Sequence, residues 1–207
     1  MGFRIQHASA AVPLVLLLLA ITFIALTATS MITSETTSSE EDLQQYVDDA
    51  INELTSYIKI QQIYGSFTNE APYHLSKIVI QATPLFQKEI NLSTWIIQIQ
   101  TISDLKIYTI NRNVSSIGSS SVFSHDQWNN LTSNNYGVIS ILDTDESLEK
   151  YQSFSEPSDI AFFTLLVNDL SIGKGDEVTI VISPGIGIKK TITFKVPLPM
   201  KQVVKLW

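Results

Sequence analysis

The chain has 207 residues and a formal net charge of −7, from 20 acidic and 13 basic side chains. That balance excludes a general nucleic-acid binder, because phosphate neutralisation needs an excess of Lys and Arg. The sequence has no cysteine, which excludes disulfides and thiolate metal sites. Only 16% of the residues are charged, and a surface of hydroxyls and amides suits an extracellular or assembled protein.

The first predicted element is the uncharged run AAVPLVLLLLAITFIALTATSMI, from Ala10 to Ile32. As a helix rising 1.5 Å per residue, it is long enough to cross a bilayer core of about 30 Å. A secretory signal has a shorter apolar core of about 7–15 residues, so the length favours a membrane segment over a discarded signal. Residues 1–9 are a candidate leader or short signal. Cleavage near Gly2, cleavage around Ala8 to Ala10, and an uncut chain all stay open.

The apolar residues that follow recur at three- and four-residue steps, which predicts that the helix continues with one apolar face. Gly65 ends this pattern, and the poor helix formers from Thr33 to Ser39 leave a break there open. We therefore predict one long helix over residues 10–65, first hydrophobic and then amphipathic. Its amphipathic face comprises Leu43, Tyr46, Val47, Ala50, Ile51, Leu54, Tyr57, Ile58 and Ile63.

From about His74 the pattern changes to short β-branched and aromatic runs separated by turn residues, which predicts strands. No helical pattern intervenes, so the fold class is predicted to be α+β: the long helix followed by an Ig-like antiparallel β-sandwich head over residues 70–207. The Ser- and Asn-rich section from Asn113 to Asn135 is predicted to be a long loop with room for one short strand. The eight predicted strands are KIVIQAT, STWIIQIQTI, LKIYTIN, YGVISIL, IAFFTLLV, DEVTIVIS, KKTITFKV and KQVVKLW.

Candidate sites for chemistry are weak in this sequence. Ser124, His125 and Asp126 are the residue types of a hydrolase triad, but adjacent residues cannot fold onto one another in triad geometry. The other two histidines are isolated, and GKGD lacks the strand–loop–helix context of a phosphate-binding loop. Asp143 to Glu146 are interpreted as a solvated turn, because the rest of a calcium-loop pattern is missing. We predict no catalytic residue, no metal site and no cofactor.

The order of these elements resembles the archaellins, the type IV pilin-like subunits of the archaeal flagellar filament. Three stretches carry the resemblance: ASAAVPLVLLLLAITFIALTATSMI, HLSKIVIQATPLFQKEINLSTWIIQIQT and LSIGKGDEVTIVISPGIGIKKTITFKVPLPMKQVVKLW. The last has the Gly-Asp turn, the paired strands, the prolines and the Val-rich final strand of the family. The resemblance implies a structural glycoprotein subunit rather than an enzyme. It would be inserted in the membrane before assembly and would then form an extracellular filament for swimming motility.

The resemblance also implies how such a subunit is used. Copies bundle their helices into an apolar core, with the β-domains outside, and the transfer from the membrane costs little because both environments are apolar. The implied partners are other copies of this chain, with or without a second archaellin, the membrane before assembly, a signal peptidase, and the archaellum assembly and motor machinery. The predicted filament-core residues are Leu14, Leu16, Leu17, Leu18, Ile21, Phe23, Ile24, Leu26 and Met31.

A second predicted contact between copies is electrostatic. The amphipathic part of the helix is acidic and includes Asp48 and Asp49, whereas the last strands are basic and include Lys189 and Lys190. We hypothesise that the helix of one copy meets the C-terminal strands of another. The alternative is a solvated acidic face and lysines that protect edge strands from aggregation.

Three sequons, at Asn91, Asn113 and Asn130, are candidate acceptors of N-linked glycans. Archaellins commonly carry such glycans, so the resemblance implies that some of these sites are used. Asn113 and Asn130 are favoured because they lie in the polar loop section, whereas Asn91 opens a strand.

Three rival functions stay open at this point. They are an adhesive type IV pilin, a membrane-anchored pilin-like accessory or stator protein, and an anchored β-sandwich receptor or solute-binding protein. The amphipathic continuation of the helix favours polymerisation, because a plain anchor needs only a flexible linker.

Overall fold

The computed structural model describes residues 44–50, 57–118, 121–185, 187–198 and 201–207. The chain divides into two compact units, Met1–Ala50 and Ile51–Trp207. In the first unit, residues 44–50 form a helix, α1, whose residues are all exposed. The predicted leader, the uncharged run and the filament-core residues lie outside the described residues. Where the structure describes the chain, no helix has both the length and the apolarity needed to span a membrane.

The second unit is mostly β. Its one short α-helix, among the described residues, is α2 (Ser147–Tyr151), and 3-10 turns span Leu92–Thr94, Val122–Ser124, Asp126–Asn130 and Asn168–Leu170. The strands are β1 (Ile58–Phe67), β2 (Leu75–Pro84), β3 (Ile90–Asn91), β4 (Ile96–Gln100), β5 (Leu105–Ser116), β6 (Asn135–Leu142), β7 (Ser153–Phe154), β8 (Ile160–Leu166), β9 (Glu177–Ser183), β10 (Lys190–Lys195) and β11 (Val203–Lys205).

Nine of these strands form one sheet in the order β10-β9-β4-β5-β6-β8-β2-β1-β11, and β3 pairs separately with β7. All neighbours are antiparallel except β5 and β6, which are parallel. The prediction of a purely antiparallel sandwich is therefore wrong at this pair. A parallel pair needs a crossover of a dozen or more residues, and residues 117–134 supply it. The predicted loop, Asn113 to Asn135, thus begins within β5 and ends at the first residue of β6, and its described residues between those strands include two 3-10 turns.

The large sheet folds over on itself to enclose a core. Lys190 Nζ at the start of β10 donates to Tyr57 Oη just before β1, at 3.1 Å. In a flat sheet these two strands would lie about 34 Å apart, at ~4.8 Å per strand. In the enclosed core, the ring of Phe163 on β8 meets three aromatic rings edge-on, those of Trp95, Tyr136 and Phe154, at centroid distances of 5.9, 5.8 and 6.4 Å.

Each of the eight predicted runs overlaps one observed strand, but the predicted end of the long helix is wrong. Residues 58–65 belong to β1, which pairs with β2 and β11. The register of β1 against β2 shifts between Ile60 and Gln62, which marks a β-bulge. The extra residue turns one two-residue step of a strand into the three-residue step from Ile60 to Ile63, and this mimics helical spacing. The β unit therefore begins before residue 70, and α1 is the part of the predicted amphipathic helix that the structure describes.

Candidate functional site

The outer face of β4 and of β5 from Leu105 to Thr109 carries no charged side chain, and several of its side chains are apolar. Along β4, Ile97 and Ile99 point into the core while Ile96 is 37% exposed, and along β5 Leu105 and Ile107 are 62% and 49% exposed. The register sets Ile107 opposite Gln98 and Leu105 opposite Gln100, and Ile102 in the connecting turn is 99% exposed.

The same face continues across β9 and β10 with neutral side chains. Thr179, Val181 and Ser183 on β9 lie beside Gln100, Gln98 and Ile96 of β4. Charges occur only at the end of this described face, where Glu177 stands opposite Lys195. We call this surface the neutral face and define it by its outward uncharged side chains: Ile96, Gln98 and Gln100 on β4, Leu105, Ile107 and Thr109 on β5, Thr179, Val181 and Ser183 on β9, and Thr191 and Thr193 on β10. Charged side chains usually keep such a surface soluble, so their scarcity makes this face a candidate contact surface.

The outer face of the other half of the sheet is covered by residues 121–131, which we call the cover. Residues 121–131 pack over β2 and β8, where Val79, Trp128 and Leu131 form a second buried apolar cluster. Partly buried side chains complete it: Tyr64, Val122, Phe123, Phe162 and Leu166. Trp128 Nε1 donates to Val122 O at 2.7 Å, and the rings of Trp128 and Phe123 stack at 6.3 Å. No local pattern in the sequence indicates this second cluster, because its apolar residues come from β1, β2, residues 121–131 and β8.

The two favoured glycan acceptors lie close together. Asn113 on β5 and Asn130 at the end of the 3-10 turn Asp126–Asn130 are both exposed. Asn111 links their backbones, since its Nδ2 donates to Asn130 O at 2.7 Å and its Oδ1 accepts from Asn113 N at 3.1 Å. Asn91 lies apart on β3, and its Oδ1 accepts from Ser93 N at 2.8 Å, which caps a 3-10 turn. The side-chain oxygen of Asn91 thus already takes part in a hydrogen bond of the local fold.

The residues predicted to join copies electrostatically differ in their surroundings. Asp48 and Asp49 are exposed on α1, and Lys189 is exposed just before β10. Lys190 is half-buried, bonds to the hydroxyl of Tyr57 and lies 5.6 Å from the centroid of that ring. Lys189 is therefore the lysine with the freer side chain of the predicted pair.

The segment interpreted as a solvated turn is instead part of a carboxylate cluster. Asp143, Asp145 and Asp159 each offer an oxygen, and these atoms lie within 4.8 Å of one another. Asp159 is fully buried; its Oδ2 accepts from Ser155 N at 2.9 Å and Glu156 N at 3.0 Å. Its Oδ1 is buried with no hydrogen-bond partner among the described residues. A buried carboxylate oxygen without a hydrogen-bond partner lowers the stability of the fold. Three carboxylates this close together offer the oxygen ligands that hard cations such as Ca²⁺ bind.

Sequence reasoning missed this cluster because Asp159 lies beyond α2 and β7 along the chain. The two carboxyls of the segment itself titrate differently. Burial, helped by the neighbouring Asp145, raises the pKa of Asp143, whereas the hydroxyl of Ser155 donates to Asp145 and lowers its pKa to about 2. Asp143 is further held by donation from Ser147 N at 3.0 Å and Leu148 N at 3.1 Å.

The triad-like residues are not arranged for catalysis. Ser124 Oγ donates to Ser121 O at 3.2 Å, and both ring nitrogens of His125 bond to backbone atoms. The GKGD segment forms the turn before β9, in which Asp176 Oδ2 accepts from Gly173 N at 2.7 Å.

Known proteins match this chain in structure rather than in sequence. No protein-family model matches it, and neither does any curated protein sequence. The crystal structure of archaeal flagellin FlaB1 from Methanocaldococcus jannaschii aligns with a TM-score of 0.64 and 21% identity, over 72% of this chain and 95% of that chain. The archaeal flagellum of Methanospirillum hungatei strain JF1 aligns with a TM-score of 0.59 and 12% identity, over 93% and 94%. The archaellum periplasmic stator protein FlaG from Sulfolobus acidocaldarius aligns with a TM-score of only 0.37 and 14% identity, over 67% and 98%. The resemblance predicted from the sequence is thus confirmed at the level of structure: the chain shares the fold of archaeal flagellins.

Proposed function

We propose that this chain is a structural subunit that polymerises into an archaellum-type filament outside the cell and serves swimming motility. The observation that carries the proposal is the likeness of fold to two archaeal flagellins over at least 94% of their own length. One of those structures is itself a flagellum. In this function the uncharged run from Ala10 to Ile32 anchors the subunit in the membrane first and packs in the filament core afterwards.

The β unit would form the outer layer of the filament, and the neutral face is suited to contacts between its copies. Four strands about 4.8 Å apart, with five residues of about 3.4 Å each, span roughly 320 Å². A stable pair of free proteins buries about 800 Å² per partner, so this face alone is too small to hold a dimer in solution. It fits a contact that forms only when the helices already hold the subunits together. Attraction between Asp48 or Asp49 and Lys189 of another copy would add to it.

Two further features of the proposal concern processing and partners. Glycans on Asn113 and Asn130 would extend from one exposed patch and leave the neutral face clear, since neither residue belongs to it. A signal peptidase would act near Gly2 or around Ala8 to Ala10, and the assembly and motor machinery of the archaellum would receive the subunit. No step of this function needs catalysis, a cofactor or a nucleic acid.

The test is to purify the surface appendages of the source cells, image them by negative-stain electron microscopy and identify their subunits by mass spectrometry. We expect this chain to be a major subunit of filaments, and we expect its deletion to abolish swimming. Loss of surface attachment with normal swimming would instead indicate an adhesive pilin. A chain found only in the membrane fraction would indicate an anchored accessory protein.

A further inference from the structure

His125 holds the cover, residues 121–131, through two bonds to backbone atoms. It precedes the 3-10 turn Asp126–Asn130, and its Nδ1 accepts from Gln127 N at 3.0 Å. Its Nε2 bonds to Ser116 O, the last residue of β5, at 2.9 Å. The imidazole thus connects the start of this turn to the end of β5.

These two partners fix the protonation state of the ring. A carbonyl oxygen only accepts, so Nε2 must carry the hydrogen, and a backbone N–H only donates, so Nδ1 must be bare. Only the neutral imidazole satisfies both bonds. A second proton on Nδ1 would point at the N–H of Gln127, which removes the cap of the turn and sets two donors against each other.

The charged side chains around the cover do not replace this bond. Lys77 on β2 donates from Nζ to Phe123 O at 3.0 Å and lies 4.6 Å from the centroid of the Trp128 ring. Arg112 on β5 and Asp126, next to His125, are exposed. Among the described residues, β6 and β8 present no charged side chain to the cover. Among the described residues, the acceptor of the hydrogen bond from Gln127 N is His125 Nδ1.

We propose that His125 is a pH-sensitive clasp, closed when the imidazole is neutral and released when it takes up a second proton. Histidine is the side chain that ordinarily changes its charge between pH 5 and pH 8. Release raises the fraction of molecules in which the cover lifts from β2 and β8, and so uncovers an apolar face that includes Val79 and Phe162. This device does not depend on the function proposed above.

Protonation of His125 loosens the cover without detaching it in every molecule, because the remaining bonds of the cover do not involve the imidazole. Gln127 is 1% exposed; its Nε2 donates to Asn113 O at 2.5 Å and its Oε1 accepts from Ser115 Oγ at 2.9 Å. Opening is therefore a local equilibrium of residues 121–131.

The experiment is amide hydrogen exchange, read by mass spectrometry of peptides from residues 121–131, on the full-length chain at pH 7.5 and pH 5.0. The matched variant is His125→Asn, because an asparagine carboxamide also caps a turn through its oxygen but cannot be protonated. The quantity compared is each protein's ratio of exchange rates at the two pH values, since the intrinsic dependence on pH cancels between proteins. We expect this ratio, pH 5.0 over pH 7.5, to be about fivefold or more higher for the wild type, the usual size of a lost cap.

Two further variants make the outcome unambiguous. His74→Asn, at the other histidine of the β unit, should keep the wild-type ratio. His125→Ala should exchange faster than the wild type at pH 7.5, because it lacks the cap at every pH. The clasp is refuted by equal ratios in the wild type and His125→Asn, by loss of the effect in His74→Asn, or by wild-type protection at pH 7.5 in His125→Ala.

Discussion

Polar side chains in the β unit bond mainly to backbone atoms, and this decides what single substitutions do. Lys77 Nζ bonds to Phe123 O, and the Tyr108 hydroxyl donates to Leu166 O at 2.9 Å. Burial, together with the charge of Asp169, raises the pKa of Tyr108, so its hydroxyl stays protonated and keeps donating at any ordinary pH. Direct ion pairs such as Lys106–Asp169 and Lys150–Glu146 join charged side chains on the surface. Replacing one polar residue therefore loosens a particular loop rather than a charge network.

At the carboxylate cluster we expect millimolar Ca²⁺ to raise the melting temperature of the full-length chain. The cation would satisfy the unpartnered Oδ1 of Asp159 and relieve the repulsion among the three carboxyls. The check is differential scanning fluorimetry of the wild type and Asp159→Asn, with and without Ca²⁺. Asp104→Asn, at an exposed carboxyl outside the cluster, should keep the wild-type response. An equal rise in Asp159→Asn would contradict the prediction.

A second residue-scale prediction concerns acid stability. The pKa of Asp145 is about 2 in the fold against 3.8 for an ordinary Asp, so its contribution is present above about pH 4 and lost as the pH falls towards 2. Asp143 acts in the opposite direction, because its raised pKa favours the folded state as the pH falls. We expect Asp145→Asn to flatten the loss of stability between pH 4 and pH 2, measured by urea unfolding at a series of pH values. A slope equal to that of the wild type would refute this assignment.

At the scale of elements, two factors determine the strands. One is the alternation of buried and exposed side chains, and the other is how closely neighbouring strands pack together. In β9 and β10 every second residue is buried, as the alternating sequence predicts. Gly65 shows the effect of close packing, since a Cβ there would lie 2.4 Å from Leu75 Cδ1 and 2.8 Å from Leu206 Cδ1. The glycine that ends the apparent helical pattern thus lies where Leu75 of β2 and Leu206, just after β11, leave no room for a side chain.

We therefore expect Gly65→Ala to lower the free energy of unfolding by about 1–3 kcal/mol, the usual cost of overpacking. Gly173→Ala is the matched control, because the nearest atom to its new Cβ would be 3.6 Å away. Its effect should stay within about 0.5 kcal/mol. Chemical denaturation of the two variants beside the wild type measures both values, and equal effects would show that the space at Gly65 is not restrictive.

The sequence predicted the long alternating strands but not the features that depend on distant partners. Eight strands follow from β-branched alternation, a local property, and the Gly-Asp turn before β9 follows from Gly175 at φ 83°. The bulge in β1 was mistaken for helical spacing, because a single strand does not reveal the register of its partner. The two-residue strands β3 and β7 are too short to show a pattern. The grouping of Asp159 with Asp143, and the bonds of His125 to Ser116, arise only once the chain has folded.

At the scale of the whole molecule, the two halves of the described outer surface of the large sheet differ in whether their apolar side chains are covered. One half is sealed by residues 121–131, whereas the neutral face keeps Ile96, Leu105 and Ile107 exposed. In a filament, the sealed half with its asparagines suits the side that faces solvent, and the neutral face suits the side that meets a neighbouring copy.

We accordingly expect Ile107→Lys to reduce filament length or yield while leaving the stability of the subunit within about 0.5 kcal/mol. A lysine on the neutral face would bury a charge in the contact between copies. Leu198→Lys is the control, because Leu198 is similarly exposed, 52% against 49%, but lies outside that face. Electron microscopy of filaments from the two strains is the measurement. Normal filaments with Ile107→Lys would show that the neutral face is not part of the contact between copies.

The strand order has a consequence for how this protein is made. β10 and β11 follow each other along the chain yet occupy the two opposite ends of the large sheet. β11 pairs with β1, and partners such as Tyr64 and Lys205 are about 140 residues apart. Because a ribosome releases the chain from its N-terminal side, β1 has no outer neighbour until about 140 further residues have been synthesised. Throughout synthesis the unit therefore carries an open strand edge, the state in which it is most exposed to mispairing with other nascent copies.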